Sequence, residues 1–144
     1  MLSLLLMCSP ITAYAEDENS VVVEQNEDVE MNQEETAENG YQSLGNFKLT
    51  AYCGCKQCNG KWSGHPTSLG TICTEGRTIA VDRHVIPLGT QVEINIPGEG
   101  WHTYIAEDTG GAIKGHKIDI FVNGHGNCYN PAYNCITEVR IKNS

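Results

Sequence analysis

From residue 46 onward the chain falls into short apolar or alternating runs separated by clusters of Gly, Pro and Asn. Six runs stand out, at 47–52, 78–82, 91–96, 103–107, 117–122 and 136–142, and Val, Ile, Thr and Tyr dominate them. These residue types suit the pleated, half-buried surface of a strand. The separators include NGKWSGHPTSLG, IPLG, PGEG, TGGAIKG and NGHGN, which carry turn chemistry. No window of about twelve residues holds a helical period. The GGAIK connection at 110–114 has room for one helical turn at most. Six short strands at this spacing predict a small all-β barrel, a closure that also removes exposed strand edges.

The first 45 residues are a different material. Residues 1–15 are mostly apolar and end in Ala13-Tyr14-Ala15, a small-residue cleavage pattern, so they read as a secretory signal peptide although no Lys or Arg precedes the run. The run is too short to span a bilayer comfortably. Cys8 follows Met7, where a lipoprotein signal takes a small residue. Residues 16–45 hold ten of the chain's 18 acidic residues and none of its nine basic ones. Such a stretch repels itself and buries too little apolar surface to fold, which predicts a disordered acidic linker; a helix over 21–31 is the alternative. The barrel domain is then 46–144, close to neutral, with no basic patch for nucleic acid and no internal repeat. The expectation is an exported domain with no stable membrane insertion once the signal is removed.

Three aspartates interrupt the apolar pattern. Asp82 ends the second run, and Asp108 and Asp119 lie eleven residues apart around a Gly-rich connection. Ionised Asp is costly to bury and scarce in strands. Strand alternation puts Ile118, Ile120 and Val122 on one face and Asp119 with Lys117 and Phe121 on the other. Asp108 falls where its strand meets a loop, the place where functional groups concentrate. Gly110 and Gly111 have no Cβ to obstruct a ligand's approach to backbone N–H groups. Asp82 and Asp108 could also serve as turn caps.

The stretches TAYC (50–53), TIAVD (78–82), IPLGT (86–90), AEDTGGAIKG (106–115) and IDIF (118–121) together resemble the 3D domain, named for three aspartates and related to the catalytic domain of MltA-type lytic transglycosylases. The likeness covers roughly residues 47–141, with Arg83 where that family usually has Pro. It implies a double-psi β-barrel acting on peptidoglycan glycan strands without a cofactor. A lytic transglycosylase manages with one acid/base, because the C6 hydroxyl of the muramoyl sugar attacks its own anomeric carbon and leaves a 1,6-anhydro end. The resemblance makes Asp119 that residue, with Asp108 and Asp82 in the catalytic set to orient sugar hydroxyls or tune it. A proton donor near neutral pH needs a raised pKa, which partial burial supplies.

Around these, Lys114 could meet a stem-peptide carboxylate, and Trp62 and Trp101 could stack on a pyranose face. Tyr52 and Tyr104, inside strands, read as core. Outside the predicted signal there are six cysteines, Cys53, Cys55, Cys58, Cys73, Cys128 and Cys135. An even count in a small exported domain predicts disulfides, and Cys128 with Cys135 makes one plausible pair. The alternative is a structural zinc on Cys53, Cys55 and Cys58, with Cys73 or His65 as fourth ligand. No His-x3-His pattern supports a catalytic metal. Two other functions fit the residues less well: a non-catalytic, expansin-like wall-binding or wall-loosening barrel, and a structural module of a secretion or conjugation system.

Overall fold

The structure is a computed structural model that describes residues 40–143. The predicted signal peptide, Cys8 and residues 16–39 of the predicted linker lie outside the described residues. Six strands form: β1 (Tyr41–Tyr52), β2 (Thr78–Ala80), β3 (Gln91–Ile96), β4 (Gly100–Asp108), β5 (Lys117–Phe121) and β6 (Ile136–Lys142). They join edge to edge in one closed ring, β1-β5-β2-β4-β3-β6. The β1–β5 and β2–β4 pairs are parallel and the other four antiparallel. Leu49, Ile79, Val92, Ile94, Ile118, Ile120 and Val139 fill the inside, each at most 1% exposed. The all-β expectation and the six strands hold. Among the described residues no helix is long and apolar enough to cross a membrane.

Two strands reach further than their sequence pattern. β1 begins at Tyr41, inside the stretch expected to be linker, and pairs residue by residue with β6 out to Lys142. Its apolar alternation is hidden by a bulge between Ser43 and Gly45, where Gly45 takes φ 80°. The Arg140 guanidinium lies 4.2 Å from the centre of the Tyr41 ring and supplies a partner from the far end of the chain. β4 begins at Gly100 rather than 103 because its edge pairs across the hairpin with Ile96. β2 in turn is shorter than its apolar run, so Asp82 follows the strand instead of ending it. Among the described residues the one α-helix, α1 (Lys56–Asn59), and the 3-10 turns at Gly60–Trp62, His125–Tyr129 and Pro131–Tyr133 are too short to show a period. Residues 110–113 make a single turn, the Ile113 N–H donating to the Gly110 carbonyl at 3.1 Å.

The parallel pair β2–β4 carries a second bulge. Ile79 pairs with Ala106, but Ala80 pairs with Asp108, so Glu107 is an extra residue in β4. A bulge lets consecutive residues depart from strict alternation and re-aims the side chains beyond it. Ala106 therefore points into the core while Asp108 points out, and Glu107 is completely buried. Its carboxylate accepts Arg77 Nε at 3.0 Å, Arg77 Nη2 at 2.7 Å and the Thr78 hydroxyl at 2.6 Å. Arg77→Ala is expected to leave that buried charge with one hydroxyl and to cost about 3 kcal/mol. This is the low end for an orphaned buried charge, because the Arg77 head is itself half in water. Urea denaturation of the variant against the parent checks the figure.

Candidate functional site

Strand pairing sets four side chains in a row across the outer face of the ring. Thr50 on β1 pairs with Asp119 on β5, Asp119 pairs with Ala80 on β2, and Ala80 pairs with Asp108 on β4. Paired residues share a face, so both carboxylates stand outward with Ala80 between them. Two strand spacings put the Asp119 and Asp108 backbones about 10 Å apart. Tyr52, Ala80, Ile113 and Phe121 make a small second apolar cluster on this face, separate from the core inside the ring.

Asp119 is half-buried and its Oδ1 accepts the Thr50 hydroxyl at 2.7 Å. Burial raises its pKa above the ordinary carboxylate value; the Thr50 bond and the Lys117 charge oppose this, and repulsion from Asp108 adds the least. The alternation predicted for this strand is as observed, with Ile118, Ile120 and Val122 in the core.

Asp108 is fully engaged. Its Oδ1 accepts the Ser68 N–H at 3.0 Å, the Ser68 hydroxyl at 2.9 Å and the Thr109 N–H at 2.9 Å, and its Oδ2 accepts the Tyr52 hydroxyl at 3.1 Å. Burial pushes the Tyr52 phenol up, so it remains a proton donor. Asp82 Oδ2 accepts the Gly115 N–H at 2.9 Å, and Oδ1 accepts the His84 N–H and lies 3.0 Å from His84 Nδ1. The Gly115 and His84 backbone bonds pull Asp82 down to about 2. Both residues cap turns, and through them the loop 109–115 is tied to the ring.

A groove of about 750 Å³ runs beside the row, lined among others by Trp62, Asp82, Asp108, Gly110, Gly111 and Lys114. Arg83, His84 and Ser68 line it too, none of which sequence reading had placed in a site, along with His65, which it had offered only as a zinc ligand. Trp62 is 63% exposed at its rim. Two of the predicted site residues are elsewhere. Asp119 is not among the lining residues, although it keeps part of its surface open on the same face. Trp101 lies at the other end of β4 from Asp108, its ring 3.8 Å from the Arg140 guanidinium, and is not a lining residue either. Tyr52 and Tyr104 are buried, as expected.

The six cysteines are free thiols, which corrects the disulfide expectation. Cys128 and Cys135 do not bridge: the Cys128 sulfur sits 3.8 Å from that of Cys58, and the Cys135 thiol donates to the Ala132 carbonyl. Cys73 meets the Tyr52 hydroxyl at 3.7 Å. Cys53, Cys55 and Cys58 converge with His125, a partner 67 or more residues away that no local spacing announces.

Two outcomes follow from this geometry. A Cβ on Gly110 would stand 2.8 Å from Ile113 Cγ1, whereas one on Gly111 would meet nothing within 4 Å. Gly110→Ala should therefore push Ile113 off Tyr52, Ala80 and Phe121 and cost about 1–3 kcal/mol, with Gly111→Ala near neutral; paired thermal melts decide. Asp82 has a depressed folded-state pKa, so its contribution is present above the ordinary value of 3.8 and is lost as pH falls toward about 2. Asp82→Asn should flatten the acid limb of stability across that window, measured by unfolding from pH 5 downward.

Residues 77–141 match the model of the 3D domain. The chain is 56% identical over 46 residues to the cell wall-binding protein YocH of Bacillus subtilis, covering 32% of this chain and 15% of YocH. It is 43% identical over 84 residues to YabE of the same organism, whose name describes cell wall shaping, covering 56% of this chain and 18% of YabE. It thus spans less than a fifth of either relative. Among solved structures it is similar to MltA from Escherichia coli, 25% identical with a TM-score of 0.46, over 55% of this chain and 28% of MltA. The three aspartates all lie inside the stretch that is similar to the 3D domain, residues 77–141.

Proposed function

We propose that this chain is an exported peptidoglycan lytic transglycosylase, cleaving between N-acetylmuramic acid and N-acetylglucosamine and leaving 1,6-anhydromuramoyl ends. One observation carries the reading: a single half-buried carboxyl with a raised pKa, Asp119, stands on the same outer face as a glycan-sized groove. Retaining glycosidases place two carboxyl groups about 5–5.5 Å apart. Here the second carboxylate in the row is two strands away and already committed to four bonds. That suits a reaction with one acid/base, in which the substrate's own C6 hydroxyl is the nucleophile and no cofactor takes part.

In this mechanism Asp119 protonates the glycosidic oxygen and then takes the proton from the C6 hydroxyl. The Thr50 hydroxyl holds the carboxyl in place. Asp108 and Asp82 act as positioning residues by holding the loop 109–115. Trp62 offers a ring face to a sugar, Gly110 and Gly111 leave the loop backbone accessible, and Lys114 offers a cation to a stem peptide. The two parallel pairs in an otherwise antiparallel ring support a double-psi connection. The names of YocH and YabE support a place at the cell wall.

A second reading has its own observation. Asp119 does not line the groove, and Ile113 belongs to the same apolar cluster as Ala80, which stands between the two carboxylates, an arrangement compatible with gripping glycan without cutting it. Digestion of purified sacculi separates the two: cleavage gives 1,6-anhydromuramoyl ends by mass spectrometry, and wall binding alone gives none.

Asp119→Asn is expected to lower cleavage by about 100- to 10,000-fold, the usual worth of a positioned acid/base. A loss within about threefold would reject Asp119 in that role. The parent's activity should fall as pH rises through the Asp119 pKa, which lies above 3.8, because the acid must start protonated. The sign for stability is the reverse of Asp82: a raised carboxyl pKa means the ionised form is disfavoured in the fold. Asp119→Asn should therefore melt no lower than the parent at pH 7.

A further inference from the structure

We propose that Cys53, Cys55, Cys58 and His125 bind a structural zinc ion that fixes one wall of the groove. The four donor atoms all lie within 4.8 Å of one another. The Cys53 sulfur is 3.2 Å from that of Cys55 and 3.6 Å from that of Cys58. His125 Nδ1 is 3.3 Å from the Cys58 sulfur, 3.5 Å from Cys55 and 3.9 Å from Cys53. Zn–S and Zn–N bonds of about 2.3 and 2.0–2.1 Å at tetrahedral angles give donor separations of about 3.8 Å between sulfurs and about 3.5 Å between sulfur and nitrogen. The observed distances fall around those edges and are far longer than a disulfide bond, about 2.05 Å. Three sulfurs also cannot all pair with one another, whereas a tetrahedral ion satisfies all three and the imidazole.

The surroundings are those of a ligand set. His125 Nε2 lies 3.1 Å from the Tyr129 hydroxyl, one turn along, which fixes the ring and leaves Nδ1 to face the sulfurs. The Cys53-Gly54-Cys55-Lys56-Gln57-Cys58 segment doubles back into α1, and the Asn59 N–H donates to the Cys55 carbonyl at 2.9 Å. Four protein donors leave no open position, which is the mark of a structural rather than a catalytic site. Binding releases the protons of three thiols and transfers no electrons.

The site has a location that gives it a task. Cys53 follows the last residue of β1, and His125 opens the 3-10 turn after β5. An ion there joins the two and anchors the segment that continues through Asn59, Trp62 and His65, three residues of the groove wall. The proposal stands whether the groove cuts glycan or only holds it.

The test uses the full chain purified without chelator. Elemental analysis should find about one zinc per chain, and all six described cysteines should react as free thiols once the protein is denatured with chelator. Cobalt(II) added to the stripped, reduced protein should give the absorption bands of a tetrahedral thiolate complex, saturating near one equivalent. Cys55→Ser and His125→Ala should lose the metal, and Cys135→Ser, whose thiol faces the Ala132 carbonyl, should keep it. Cobalt uptake by the parent decides the matter if either variant fails to fold. Uptake below about a tenth of an equivalent, a disulfide among Cys53, Cys55 and Cys58, or full metal retention by His125→Ala would each overturn the assignment, as would a native site filled by iron.

Discussion

The extra residue in β4 is the constraint on which the site depends. Strict alternation after Ala106 would turn Glu107 outward and Asp108 into the core. The bulge reverses that for Asp108 and leaves Glu107 buried. A buried carboxylate survives only if its charge and lone pairs are matched. Arg77 and the Thr78 hydroxyl do this from the start of the neighbouring strand. The same contacts pull β2 against β4 in parallel register, and so place Ala80 between Asp108 and Asp119.

Outward from that point, the site is a hierarchy of carboxylates in different environments. Glu107 is internal and holds strands together. Asp108 and Asp82 are caps that organise loops by accepting backbone N–H groups. Asp119 alone combines partial burial with a single hydroxyl partner, which is why its pKa moves up where that of Asp82 moves down. Environment thus separates side chains of the same chemistry into scaffold, cap and acid.

The wall facing the Gly-rich loop is built differently. Between Gly54 and Pro66 it has only the short α1 and a 3-10 turn, and no buried side chain. Thiols and an imidazole gathered from two distant loops take the place of a packed core there. A segment of this kind gains order from a few strong, local bonds rather than from many weak contacts, as small metal-stapled modules do.

Much of this was legible in the residues. Short apolar or alternating runs marked the six strands because each buries side chains, β2 at all three of its residues, and the isoleucines around Asp119 announced which way that side chain turns. The start of β1 was not legible, because its polar residues pair with a strand about a hundred positions away and a bulge breaks the alternation. The place of Trp101 under Arg140 and the absence of Asp119 from the groove lining depend on how the ring closes. Cysteine count pointed to bridges, but which sulfurs meet is a matter of three-dimensional distance. His125 joined Cys53, Cys55 and Cys58 only when β5 lay alongside β1. Local pattern, which the sequence alone determined, records which face of each strand is buried. Partners, register and the company a carboxylate or thiol keeps were decided by the tertiary structure, because they are set by contacts between segments far apart along the chain.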